Sequence, residues 1–213
     1  MTNKVHQPEN DIMVETKGKL ELFFDKYGNK LLVALGVITV LALAFFLVSS
    51  IAENRAAKRE VMADAALAVA LNGEGTAEEY VAVVEEYGKT KAANTAAYLA
   101  GAAYLEAGDM ENAKLYLEKY NNAEGAAGEI INALVLMLRG DLAVEQNDLQ
   151  SAEALYRESM QCSNDPVTYT NGVQKLALVY QAMGDDAKAE QCYKELIAKY
   201  PEQARNYTKY ISK

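Results

Sequence analysis

Small residues recur along this chain at one fixed internal spacing. Gly101, Gly140 and Ala177 are each followed 12 residues later by an alanine: Ala113, Ala152 and Ala189. Both members of a pair shift together, by 39 residues from the first copy to the second and by 37 from the second to the third. Two antiparallel helices approach closely only where their side chains are small, so this spacing marks three helical hairpins with one kind of crossing. The copies read "YLAGAAYLEAGDMENAKLYLEKY" (98–120), "LMLRGDLAVEQNDLQSAEALYRES" (136–159) and "VQKLALVYQAMGDDAKAEQCYKELIAKYP" (173–201). Residues flanking the crossing, Tyr104 and Leu117, Ala143 and Tyr156, Tyr180 and Tyr193, are expected to fill the space beside it.

Between the two helices of each copy stand Gly108-Asp109, Asn147-Asp148 and Gly184-Asp185. Glycine and asparagine tolerate the left-handed geometry that ends a helix. The aspartate that follows can accept hydrogen bonds from the free N–H groups of the next helix. These carboxylates therefore read as caps. Residues 55–71 and 76–87, joined by Gly73-Glu74-Gly75, suggest a degenerate fourth pair, and 202–211 a short helix covering the last one. The residues by which the two periods exceed a regular repeat are placed in loops near 121–128 and 162–168. With apolar residues spaced at three and four and few prolines, the fold class is all-α.

Residues 31–52, "LLVALGVITVLALAFFLVSSIA", carry no charge. A helix of that length rises about 33 Å, enough for a hydrocarbon core of about 30 Å, so 31–52 is expected to be a transmembrane anchor. A cleaved secretory signal is the alternative, since Ser50-Ile51-Ala52 offers small residues at a suitable spacing, although the apolar run is long and 30 residues precede it. The organisation expected is a cytoplasmic segment at 1–30, the span at 31–52 and a helical-repeat domain at 53–213. Lys17, Lys19, Lys26 and Lys30 before the span outnumber Arg55, Lys58 and Arg59 after it, which tips the large domain to the exported side. Leu20, Phe23, Phe24 and Tyr27 follow one helix face and could form an amphipathic lead-in in the membrane interface or simply extend the spanning helix into the cytosol.

Several function classes are disfavoured. All 16 basic and 25 acidic residues that set the net charge of −9 lie beyond residue 52, and no basic stripe offers a nucleic-acid interface. The sole histidine, His6, sits in the polar amino-terminal tail, so the commonest general base and metal ligand is missing from the repeat region. Cys162 and Cys192 fit neither a zinc site nor a redox motif; a disulfide between them is possible, with unpaired thiols the favoured state. No phosphate-binding glycine loop, nucleophile elbow or HExxH motif occurs. The expectation is no catalytic residue, no cofactor, no metal and no small-molecule substrate.

The hairpins resemble the tetratricopeptide repeat (TPR). In the third copy Leu176-Ala177, Tyr180, Ala189, Tyr193 and Pro201 fall at the family's leucine, small, tyrosine, alanine, aromatic and proline positions; Gly101, Tyr104 and Ala113 match in the first copy, and Gly140, Ala152 and Tyr156 in the second. The resemblance implies an α-solenoid whose first helices line a concave, protein-binding groove. Projected onto this sequence, that groove comprises Tyr98, Ala102, Leu105, Met137, Asp141, Val144, Asn171, Gln174, Leu178 and Gln181. The family's clamp for a carboxyl-terminal peptide needs several basic and amide residues there, and Asn171 alone does not make one. The whole layout, together with "FFDKYGNKLL" (23–32) and the stretch 78–113, is similar to the YfgM-like bacterial inner-membrane proteins. That likeness implies a single-pass scaffold with its repeat domain in the periplasm. Its partners would be Sec translocon subunits, periplasmic chaperones or exported chains. The alternative is a homo-oligomeric structural or assembly factor for another envelope complex.

Overall fold

A computed structural model describes the backbone of residues 8–211, with side chains at Glu21 and from Lys26 onward. His6 and the side chains of Leu20, Phe23 and Phe24 lie outside the described residues. The chain divides into two compact units, Met1–Ala57 and Lys58–Lys213. Helix α1 runs from Pro8 to Asn72. Within the first unit, every side chain from residue 31 to 48 is exposed, and α1 is long and apolar enough to cross a membrane.

The second unit is built of antiparallel helical pairs, with no strand among the described residues. After the end of α1 come α2 (Ala77–Tyr87), α3 (Lys91–Glu106), α4 (Met110–Lys119), α5 (Gly125–Glu145), α6 (Leu149–Cys162), α7 (Pro166–Ala182) and α8 (Asp186–Lys199). The expected fourth pair is formed by the last turns of α1 with α2: Ala66, Leu67 and Ala70 pack with Tyr80, Val83 and Val84. Thr76 and Glu79 close a capping box at the start of α2, each side chain accepting from the other's backbone N–H.

The turns inside the pairs follow one plan. Gly108, Asn147 and Gly184 have φ of 79°, 58° and 78°. The N–H of the next aspartate bonds back to Tyr104, Ala143 and Tyr180 respectively, at 2.8 Å each, which closes the α-helix in a Schellman arrangement. The same aspartate caps the helix that follows, its carboxylate accepting from Asn112, Ser151 or Lys188 at 3.0–3.1 Å. One residue thus ends a helix and starts another.

Two expectations change. The close approach of Gly101 is not to Ala113 but to Leu117 one turn later: a Cβ on Gly101 would lie 2.6 Å from Leu117 Cγ. A Cβ on Gly140 would lie 2.4 Å from Tyr156 Cε1, again one turn beyond Ala152. Helical side chains lean back over the preceding turn, so the residue four positions on covers the alanine's patch and fills the glycine's space. The additional residues are also not loop. α5 begins at Gly125 and, with 21 residues, is five longer than α3, while only Ser163–Asp165 separates α6 from α7. The short link before α5 folds onto that helix. Asn132 accepts from Ala123 N at 2.9 Å and from the Tyr120 hydroxyl at 2.7 Å, and Gly128 leaves room for Ala123 O.

The end of the solenoid is covered as expected, by short turns: 3-10 segments Pro201–Gln203 and Thr208–Tyr210 flank α9 (Ala204–Tyr207). Tyr193 of α8 stacks on Tyr210 and Tyr207 at centroid distances of 4.6 and 5.8 Å. Cys162 and Cys192 are both free thiols, and burial pushes Cys192 up to about 11.

Candidate protein-binding groove

The first helices of successive pairs, α3, α5 and α7, present one face each to a shared groove. Their exposed positions recur at i, i+3, i+4 and i+7, as one stripe of a helix must. Nine of the ten residues projected from the sequence line two adjoining hollows. A hollow of about 410 Å³ is bounded by Tyr98, Ala102, Met137, Asp141, Asn171, Gln174 and Leu178, together with Leu134, Leu138 and Lys175. A second, of about 400 Å³, is bounded by Leu105, Asp141, Val144 and Leu178, with Met110, Leu149, Lys175 and Ala182 among the others. Gln181 is exposed and lines neither.

The projected residues differ in what they offer. Leu178, 62% exposed, stands between the two hollows and belongs to both, and Val144 is 38% exposed. Met137, by contrast, is 3% exposed and joins the core cluster behind the groove with Ala152, Val173 and Tyr156. The amide of Gln174 donates to the hydroxyl of Tyr207, so the carboxyl-terminal turns reach the groove's edge.

Between the hollows runs a polar bridge that sequence reasoning missed. Lys175 Nζ contacts both carboxylate oxygens of Asp141, at 2.7 and 2.9 Å, and the Tyr156 hydroxyl donates to Asp141 Oδ1 at 2.6 Å. Burial and the neighbouring carboxylate push the Tyr156 phenol well above its ordinary range, so it remains a donor. Tyr156 rises from α6 beneath the groove, so no stripe on a first helix reveals it. Lys175 could have been found: Asn171, Gln174, Lys175 and Leu178 complete the i, i+3, i+4, i+7 face, as Leu134 and Leu138 do with Met137 and Asp141.

Behind the groove a second network ties α6 to α7. Tyr180 donates to Glu153 Oε1 and accepts from Arg157 Nη2, both at 2.5 Å. The Tyr180 bond, with help from Arg157, holds the Glu153 carboxyl below the usual range, while burial first and then Glu153 push Tyr180 up to about 12. These bonds hold α7, which carries one wall of the groove, against α6 beneath it.

Stacked hairpins with aligned first helices and an open face define a helical-repeat scaffold. Residues 95–124 and 174–202 each match the tetratricopeptide repeat, over the first and third of the three copies. The crystal structure of the MamA protein superposes with a TM-score of 0.51 at 18% sequence identity, covering 70% of this chain and 77% of that one. No curated protein matches by sequence. The second unit is accordingly a TPR-type α-solenoid, and such repeats serve protein–protein contact.

Proposed function

We propose that this chain is a membrane-anchored scaffold that holds other proteins in the bacterial envelope through the groove of α3, α5 and α7. The observation that carries the binding role is the open, apolar groove: Leu178 and Val144 stay exposed there although the same helices bury their other faces. Solitary exposed leucines are ordinary, but one shared by two hollows of about 400 Å³ is placed to receive a side chain. The anchoring role is supported by the uncharged run 31–52, exposed on all sides in a helix with nothing packed over it from residue 31 to 48. The excess of lysines before the span favours a cytoplasmic amino terminus and a periplasmic solenoid.

Within this reading the partners are translocon subunits, periplasmic chaperones or newly exported chains, as the likeness to the YfgM-like group suggests. Affinity purification of the full chain from detergent-solubilised membranes, compared with a Leu178→Asp variant, tests it. Enrichment of envelope or translocon proteins that the variant loses is the expected result; recovery of none above background counts against the scaffold role. Protease treatment of inverted inner-membrane vesicles should leave the solenoid protected, and its digestion from the cytosolic side would overturn the periplasmic placement.

A homo-oligomeric assembly role is favoured by one different observation. The last turns of α1 leave Val61, Met62, Val69 and Leu71 exposed, 55–73% each, whereas the opposite end of the solenoid is covered. Solenoids need polar outer faces at their ends. Light scattering of the full chain in detergent separates the readings: a stable multimer at micromolar concentration supports the second, a monomer the first.

A further inference from the structure

The two hollows of the groove share an apolar floor but differ in charge, and the difference follows from the fold. Because α3, α5 and α7 run parallel, their carboxyl-terminal turns fall along one edge, and every such turn carries a capping aspartate. At the turns of that edge stand Asp109, Asp148 and Asp185, the last paired with Lys188 at 2.9 Å, and the second hollow itself is lined by two carboxylates, Asp141 and Glu145, against one lysine, Lys175. That lysine is already engaged by Asp141. Glu145, one helical turn beyond Asp141, lines the same hollow, is exposed and has no ion pair among the described residues. Hydrogen bonds from Asn112, Ser151 and Lys188 hold the cap carboxylates Asp109, Asp148 and Asp185 below the usual range, which keeps this edge charged in mildly acidic solution. The first hollow, toward the other end of the helices, has amides at its rim, Asn171 and Gln174, and no carboxylate besides the neutralised Asp141.

We infer that the groove takes an apolar–basic peptide segment, bound in one direction: apolar side chains enter the two hollows on either side of Leu178, and a lysine or arginine at one end lies beside Glu145. The inference rests on the proposed role of the groove as a protein-binding surface and adds the chemistry of the segment. A uniformly apolar ligand would leave the acidic edge unanswered, and an acidic one would meet like charge. The engaged Asp141–Lys175 pair divides the floor, so the segment needs two separated apolar contacts rather than one continuous run.

The test uses the full chain in nanodiscs of zwitterionic phosphatidylcholine, with empty nanodiscs as the blank. The probes are fluorescein-labelled 12-residue peptides carrying two leucines two, three or four residues apart and two lysines at one end. Matched sets have glutamates for the lysines or serines for the leucines. Anisotropy at low salt should show at least one lysine peptide binding tenfold or more tighter than its glutamate counterpart, the gap narrowing as salt screens the edge. Leu178→Asp should weaken it at least tenfold, the scale of losing one buried leucine contact, and Glu145→Lys about fivefold, the scale of an exposed ion pair. Both side chains are exposed, and thermal melts of the variants verify folding. If glutamate peptides bind as tightly as lysine peptides while Leu178→Asp weakens both, the basic-segment inference falls and the groove reading stands. If no peptide binds, or binding ignores Leu178→Asp, both fall.

Discussion

The α3/α4 and α5/α6 pairs solve the same packing problem with different side chains. In each, a glycine on the first helix leaves a slot that a large residue of the second helix fills, Leu117 against Gly101 and Tyr156 against Gly140. Both fillers are buried, Leu117 at 0% and Tyr156 at 2% exposure. The difference is at the tip. Leu117 ends in methyl groups, whereas Tyr156 passes through the slot and delivers its hydroxyl to Asp141 on the groove side. A tyrosine in this position therefore links the core to the binding face, and a leucine does not.

Substitutions at the two slots should separate them. The largest effect is expected from Gly140→Ala, because a rigid ring edge lies 2.4 Å from the new Cβ and cannot fold aside; about 2–3 kcal/mol of stability should be lost by urea unfolding, net of the alanine's better helix propensity. Gly101→Ala meets Leu117 Cγ at 2.6 Å and its backbone N at 3.2 Å, so the leucine can turn aside only in part, and about 1–2 kcal/mol should be lost. The contrast breaks if the two variants unfold alike. It sharpens if Gly140→Ala placed in a Tyr156→Leu background costs no more than Gly101→Ala. Tyr156→Phe keeps the ring but withdraws the hydroxyl; a loss of about 1 kcal/mol is expected, since Lys175 still answers Asp141.

The smallest effect should be shared by both pairs. Asp109 and Asp148 have depressed folded-state pKa values through the bonds from Asn112 and Ser151. Their contribution is present above the unfolded carboxylate value of about 3.9 and is lost as pH falls through the lower folded value. Asp109→Asn and Asp148→Asn keep a capping oxygen but remove the charge, so the melting temperature at pH 7 should fall slightly, by that contribution, and its decline below about pH 4 should become shallower by similar amounts. Unequal slopes in differential scanning calorimetry would show that the slots, not the caps, control the acid response.

Much of this architecture is legible in the sequence because its signals are local. A left-handed position followed by an aspartate specifies a turn whatever surrounds it, and Gly108, Asn147 and Gly184 all adopt that geometry. What could not be read is the rotation of each helix about its axis and the lean of its side chains. The 12-residue spacing points to Ala113 and Ala152, yet the contacts belong to Leu117 and Tyr156. Helix length was misjudged for a related reason: Gly125 reads as a loop residue, but Asn132 and Gly128 let the preceding link lie against α5 and the helix start early. In the groove, the family resemblance projected onto three helices placed nine residues at the hollows, while Tyr156, arriving from beneath, carries no sign of its reach in any local pattern.

The doubly used aspartate of each turn has a last consequence, for how such a chain can change length. Since Asp109, Asp148 and Asp185 each complete one helix and begin another, no residue can be added at those corners without undoing both ends. Growth is confined to the far ends of the helices and the joints between hairpins, and both vary: α5 is five residues longer than α3, and the joints run from the five residues before α5 to the three before α7. The corner is thus the indivisible element, and the joints are where the stacking angle, and with it the curvature of the groove, can be reset.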